Sequence, residues 1–97
     1  MKKYYYTVVR GDNFHVGDPE HPTGIGESFK TCAEARAACE KIVRETLSGP
    51  FEGLSIEERT GMYQGYVTFG DSAYIVTNDR SCRFSSSDYA KMICGIN

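Results

Sequence analysis

The stretch Thr31–Pro50, TCAEARAACEKIVRETLSGP, marks both ends of a helix and sets what the rest of the chain packs against. Thr31 followed by Glu34 has capping-box spacing, in which the hydroxyl takes the N3 amide and the carboxylate returns to the cap amide. Ser48-Gly49-Pro50 supplies the stop. Between the two, Cys32, Ala35, Cys39, Ile42, Val43 and Thr46 recur at i, i+3, i+7, i+10, i+11 and i+14, a narrow, mostly apolar stripe on one face. Glu34, Glu40, Lys41, Arg44 and Glu45 cover much of the remaining surface, with Glu40 and Arg44 at the supportive i,i+4 spacing.

Upstream, Lys3 to Arg10 is rich in Tyr, Thr and Val and reads as a strand. Alternation places Tyr4, Tyr6 and Val8 on one face and Tyr5, Thr7 and Val9 on the other. Gly11-Asp12-Asn13 is turn chemistry, Phe14-His15-Val16 reads as the returning strand, and Gly17 to Ser28 as a loop punctuated by Pro19, Pro22, Gly24 and Gly26. Downstream, Met62 to Phe69 and Ala73 to Thr77, joined through Gly70-Asp71-Ser72, read as a second hairpin, after a polar connector in which Leu54 and Ile56 pin a short turn. Cys82-Arg83-Phe84 is a candidate edge strand. Ser85-Ser86-Ser87-Asp88 offers caps for a closing helix to about Cys94, ended by Gly95.

The two halves can be superposed as sequences. Phe29, Thr31, Ala35, Arg36 and Cys39 lie at the same offsets as Phe84, Ser86, Ala90, Lys91 and Cys94. Val8, Gly11, Asp12, His15 and Val16 likewise lie on Val67, Gly70, Asp71, Tyr74 and Ile75. The expectation is one domain over residues 1–97 with half-repeats 1–48 and 61–97. Its fold class is α+β in two layers, a four- to five-stranded antiparallel sheet with two helices on one face, in the order ββα-ββ(β)α. Its core draws on Val8 or Val9, Phe14, Val16, Phe29, Ala35, Cys39, Ile42, Val43, Val67, Phe69, Ile75, Phe84, Met92 and Ile93. Equivalent positions on the two helices bring Cys39 and Cys94 toward each other across the seam.

Composition narrows the functional classes. Eleven Lys plus Arg against thirteen Asp plus Glu gives a net charge of −2, so no strong field steers the chain to nucleic acid. Met-Lys-Lys is followed by Tyr4-Tyr5-Tyr6-Thr7 rather than an apolar run, and no stretch approaches the roughly 20 apolar residues of a membrane span. The expectation is a cytoplasmic protein without membrane contact, its four cysteines, Cys32, Cys39, Cys82 and Cys94, reduced and acting as small apolar residues.

Signatures of chemistry are weak. His15, His21, Asp18, Glu20 and the cysteines lack the spacing of a zinc site, so neither a metal nor another cofactor is expected. Cys32 follows a helix cap, where a thiol can be activated, yet it also begins the apolar stripe. Ser85-Ser86-Ser87 is better explained by capping than by catalysis. Gly24-Ile25-Gly26 lacks the remainder of a dinucleotide fingerprint, and Glu57-Glu58 beside Arg59 reads as a solvated connector. Arg10-Gly11-Asp12 reads as a turn rather than an adhesion motif. No catalytic residue is assigned.

A helix layer on one face leaves the other face of the sheet open. The candidate binding residues are a Tyr-rich set on the strands, Tyr4, Tyr5, Tyr6, Tyr63, Tyr66 and Tyr74, half of which points to the open face, and tyrosine supplies much of the binding energy at protein interfaces. The function expected is a small non-enzymatic protein-binding or regulatory module, an inhibitor or adaptor of the kind phages and mobile elements encode, acting through this face or an edge strand. One alternative is a sheet-based binder of single-stranded nucleic acid, with Lys2, Lys3, Arg10, Arg80 and Arg83 around the strands. Another is a small thiol- or metal-dependent enzyme. A homodimer through the Tyr-rich face is a further alternative.

Overall fold

A computed structural model describes residues 3–12 and 26–96. Among them the order is β1 (Tyr6–Asp12), β2 (Glu27–Phe29), α1 (Cys32–Thr46), α2 (Ile56–Phe69), β3 (Asp71–Thr77) and α3 (Ser86–Cys94). The three strands form one antiparallel sheet in the order β2-β1-β3. The fold is thus α+β with three helices and three strands among the described residues, rather than two helices and four to five strands. Phe14-His15-Val16, the loop histidines and Gly24-Ile25 lie outside the described residues.

β1 is the central strand. It pairs with β3 over seven residues, from Tyr6 opposite Thr77 to Asp12 opposite Asp71, and with β2 from Tyr6 opposite Phe29 to Val8 opposite Glu27. Gly11 and Asp12 therefore continue the strand instead of turning. Arg10 clamps one end: its guanidinium reaches the carboxylates of Asp71 and of Glu45 on α1, both at 2.6 Å.

α1 bridges two halves of the core. Ala35 and Cys39, on its first half, are buried against Tyr6, Val8, Ala73 and Cys82 on the sheet side. Further along, Val43 and the C-cap Leu47 are buried with Tyr66, Ala90 and Cys94 of the other two helices. Thr31 caps α1 as the sequence indicates, accepting from the Glu34 amide at 3.1 Å. α3 is capped by Ser85, which accepts from the Asp88 amide, and stops at Gly95 in the left-handed region (φ 68°). The Ile96 amide then returns to the Lys91 carbonyl.

The largest correction is Met62–Phe69, which is not a strand but the second half of α2. A complete capping box starts this helix: Ser55 accepts from the Glu58 amide at 3.1 Å and the Glu58 carboxylate accepts from the Ser55 amide at 3.3 Å. Tyr66 is buried, and Met62 and Tyr63 pack half-buried beside it, so tertiary contact holds in a helix residues whose own preference is for strands. The stop comes at Gly70, where a side chain would come within 2.6 Å of the Tyr66 ring. The half-repeats consequently differ in fold, Val8 lying in a strand and Val67 in a helix. What survives of the correspondence is in the helices, where Ala35, Cys39, Ala90 and Cys94 are all fully buried.

The cysteines correct a second expectation. Cys32 and Cys82 form a disulfide with Cα atoms 5.7 Å apart, while Cys39 and Cys94 are free thiols buried in separate halves of the core. Phe69 and Met92 are exposed rather than internal, and Val67 lies largely outside the core. Cys82-Arg83-Phe84 joins no ladder; the segment leads instead to Ser86, whose hydroxyl accepts from the Ala73 amide at 2.8 Å and donates to the Ala73 carbonyl at 2.7 Å. One side chain thereby does for one residue of the β3 edge what a further strand would do.

Two stability outcomes follow from these contacts. Ser86→Ala strands a buried amide and carbonyl and should cost about 1–3 kcal/mol. Gly61→Ala and Gly65→Ala should each add about 0.5–1 kcal/mol, because a helix pays for glycine in entropy and nothing lies within 4 Å of either added carbon. Urea unfolding midpoints at constant m-value check both.

Candidate binding surface

Alternation and register assign the two faces of the sheet. Tyr6, Val8 and Arg10, with Thr77, Ile75 and Ala73 respectively opposite them, face the helices, and Asp71 shares the side of Ala73. On the other side Thr7 lies opposite Val76 and Ser28, and Val9 opposite Tyr74, while Gly11 and Ser72 complete the rungs. Tyr5 extends this set past the start of β1, held by its amide donating to the Asn78 side-chain oxygen at 3.0 Å. Tyr5 is 52% exposed, Tyr74 47% and Val76 42%.

The acids at the sheet whose side chains are described point elsewhere or are engaged. Asp71 pairs with Arg10 on the helix side, Glu27 shares the side of Val8, and the Asp79 carboxylate accepts from the Tyr6 hydroxyl at 2.7 Å. The open face is therefore uncharged among the described residues, built of Tyr5, Thr7, Val9, Ser28, Ser72, Tyr74 and Val76. Lys3, Lys30 and Arg80 follow or precede strand residues paired at Tyr6, which sets all three, exposed, at one end of the sheet.

Of the six tyrosines from which the face was expected to draw half, Tyr5 and Tyr74 lie on it. Tyr4 is exposed at the edge of the helix side, its ring 6.5 Å from that of Tyr6. Tyr6 and Tyr66 are core residues, and Tyr63 packs half-buried on α2 with the Lys91 ammonium 5.9 Å from its ring. Thr7 and Val9 were marked by strand alternation. Val76, Ser28 and Ser72 became legible only with the register.

The turn after β3 is built around Asp79. Its carboxylate accepts from the amide and hydroxyl of Ser81 and from Tyr6, and its carbonyl accepts from the Cys82 amide. These donors, Ser81 first and Tyr6 next, hold the Asp79 carboxyl below the usual carboxylate range. The same bond to Asp79, with burial as the second cause, pushes the Tyr6 phenol up to about 12. Burial also pushes the Cys39 thiol up to about 11 and raises Cys94, so both are protonated and unreactive. Cys32, committed to the disulfide, offers no thiolate. No group of three or more potential metal ligands occurs among the described residues, and no helix among them is long and apolar enough to cross a membrane.

Comparison with known proteins returns no matching family model, no matching curated sequence and no matching solved structure.

The Tyr6–Asp79 pair gives stability two pH limits. Asp79, with its folded pKa depressed, stabilises above the unfolded value near 3.8, and this is lost as pH falls through the folded value. Tyr6, with its folded pKa raised, stabilises below 10, and this is lost as pH rises toward about 12. Thermal melts across pH should fall at both limits in the wild type, and Asp79→Asn should flatten both; superimposable profiles would refute the pairing.

Proposed function

We propose that the chain is a non-enzymatic protein-binding module that docks a partner on the helix-free face of its sheet, centred on Tyr5, Thr7, Val9, Tyr74 and Val76. The observation that carries this reading is that the middle of β1 and β3 carries apolar side chains on both faces, Val8, Ala73 and Ile75 on one and Val9, Tyr74 and Val76 on the other. Such strands belong in a sheet covered on both sides, whereas a solvated face of an antiparallel sheet is ordinarily polar. Tyr5 and Tyr74 at the two ends, with aliphatic residues between them, have the composition of an interface core.

Size argues for a partner other than a second copy. Two strands of seven residues and one of three cover roughly 280 Å², where a stable interface needs about 800 Å² from each side. A partner reaching past the face onto the Lys3, Lys30 and Arg80 end gains area and charge complementarity that two like-charged ends do not offer each other. The face is favoured over the β3 edge because Ser86 already occupies that edge at Ala73. A regulatory role by occupation fits a module of this kind. A cytoplasmic address would make its disulfide conditional on redox state rather than permanent.

The acid-free face beside three cations also supports a second reading, a binder of single-stranded nucleic acid stacking bases on Tyr5 and Tyr74. Affinity capture with and without nuclease, followed by titration of the captured partner, separates the two. A protein partner that survives nuclease should lose about 10- to 100-fold in affinity with Tyr74→Ala or Val76→Asp. Affinity for an oligothymidylate that falls steeply with salt and with Tyr5→Ala selects the second reading.

A further inference from the structure

We propose that the Cys32–Cys82 disulfide is a redox latch on the Tyr5 end of the docking face, and that its reduction by a dithiol releases that end. The effect on a partner rests on the docking reading above; the release itself does not.

A continuous set of bonds connects the disulfide to the face. Cys82 is fixed to the first turn of α1 through Cys32. Its amide donates to the Asp79 carbonyl at 3.0 Å, closing the turn. Asp79 takes the Tyr6 hydroxyl, and its amide donates to Thr77 Oγ1 at the end of β3. The neighbouring Asn78 side chain spans the start of the chain, accepting from the Tyr5 amide at 3.0 Å and donating to the Lys3 carbonyl at 3.0 Å. Tyr5 lies before the first ladder pair, so this turn does for residues 3–5 what strand pairing does for the rest of β1.

Chemistry and access fit an external reductant. Cys32 is half-buried and Cys82 buried, so a thiolate of the dithiol attacks the Cys32 sulfur and Cys82 leaves as a thiolate, then takes a proton. The second thiol of the reductant then attacks its own sulfur in the mixed disulfide, releasing Cys32 as a thiol. Two electrons pass to the protein, and the dithiol becomes a cyclic disulfide. Cys39 and Cys94 do not intervene, being buried and protonated.

Dithiothreitol is the probe, and amide exchange read residue by residue is the measurement. Alkylation of the unfolded protein should first count two thiols before reduction and four after; four before reduction overturns the proposal. On reduction the amides of Tyr5, Asp79, Ser81 and Cys82 should exchange at least about tenfold faster while Val43 and Ala90 keep their protection. Acceleration in proportion throughout, or none at residues 5 and 79–82, overturns the latch in favour of a general staple or an idle bond. Asn78→Ala tests the same link with the disulfide intact: the Tyr5 amide should exchange as fast as in the reduced wild type. Partner affinity should fall about tenfold on reduction of the wild type and show no redox dependence in Asn78→Ala. Insensitivity of partner binding to Tyr74→Ala refutes the docking reading alone, because the exchange pattern does not depend on it.

Discussion

The pairing of β1 with β3 is the constraint on which the rest of the molecule depends. It joins residues 6–12 to residues 71–77 in one antiparallel ladder, so after β2 the chain leaves the sheet through α1 and α2 before it returns. α1 packs across the departure and α2 brings the chain back to β3. α1 lies across the helix side, burying Ala35 and Cys39 against the strands, and then carries Val43 and Leu47 out to meet α2 and α3. The helical half of the core is thus attached to the sheet half largely through one helix. The Arg10 ion pairs and the Cys32–Cys82 bond secure that helix near its two ends, Glu45 at one and Cys32 at the other.

Much of this was legible locally. Caps and stops are short-range chemistry, and Thr31, Ser85 and Gly95 do what their residue types and positions indicate. Alternation in Tyr5 to Val9 sorted β1 correctly into two faces. The failure at Met62–Phe69 has a specific cause: Tyr63, Tyr66, Val67, Thr68 and Phe69 prefer strands, and two glycines weaken the helix further. The signal that settles it lies upstream, in Ser55 and Glu58, which have the same spacing as Thr31 and Glu34 and form the complete capping box. Reading that connector only for apolar periodicity passes over it.

What depended on long-range placement was not legible. The helix equivalence suggested by Ala35, Cys39, Ala90 and Cys94 is correct about burial, yet the two thiols face different halves of the core. Spacing cannot choose among cysteine pairings, and the bond formed instead between the one cysteine at a helix start and the one beside a turn. The placement of the tyrosines depends on the same long-range information. Counting tyrosines assumed that Tyr63 and Tyr66 lay on strands, whereas the open face is assembled by register and owes as much to Thr7, Val9 and Val76 as to Tyr5 and Tyr74.

The separation of β1 from its partner also shapes how the protein is made. At about 5–20 residues per second, the ribosome needs roughly 3–12 s to travel from the end of β1 to the start of β3. Throughout that interval a strand with valines on both faces has, among the described residues, the three of β2 to pair with. The nascent chain therefore carries an adhesive segment before it carries the segment that neutralises it, and its yield in a crowded cell is set by what shields β1 during those seconds.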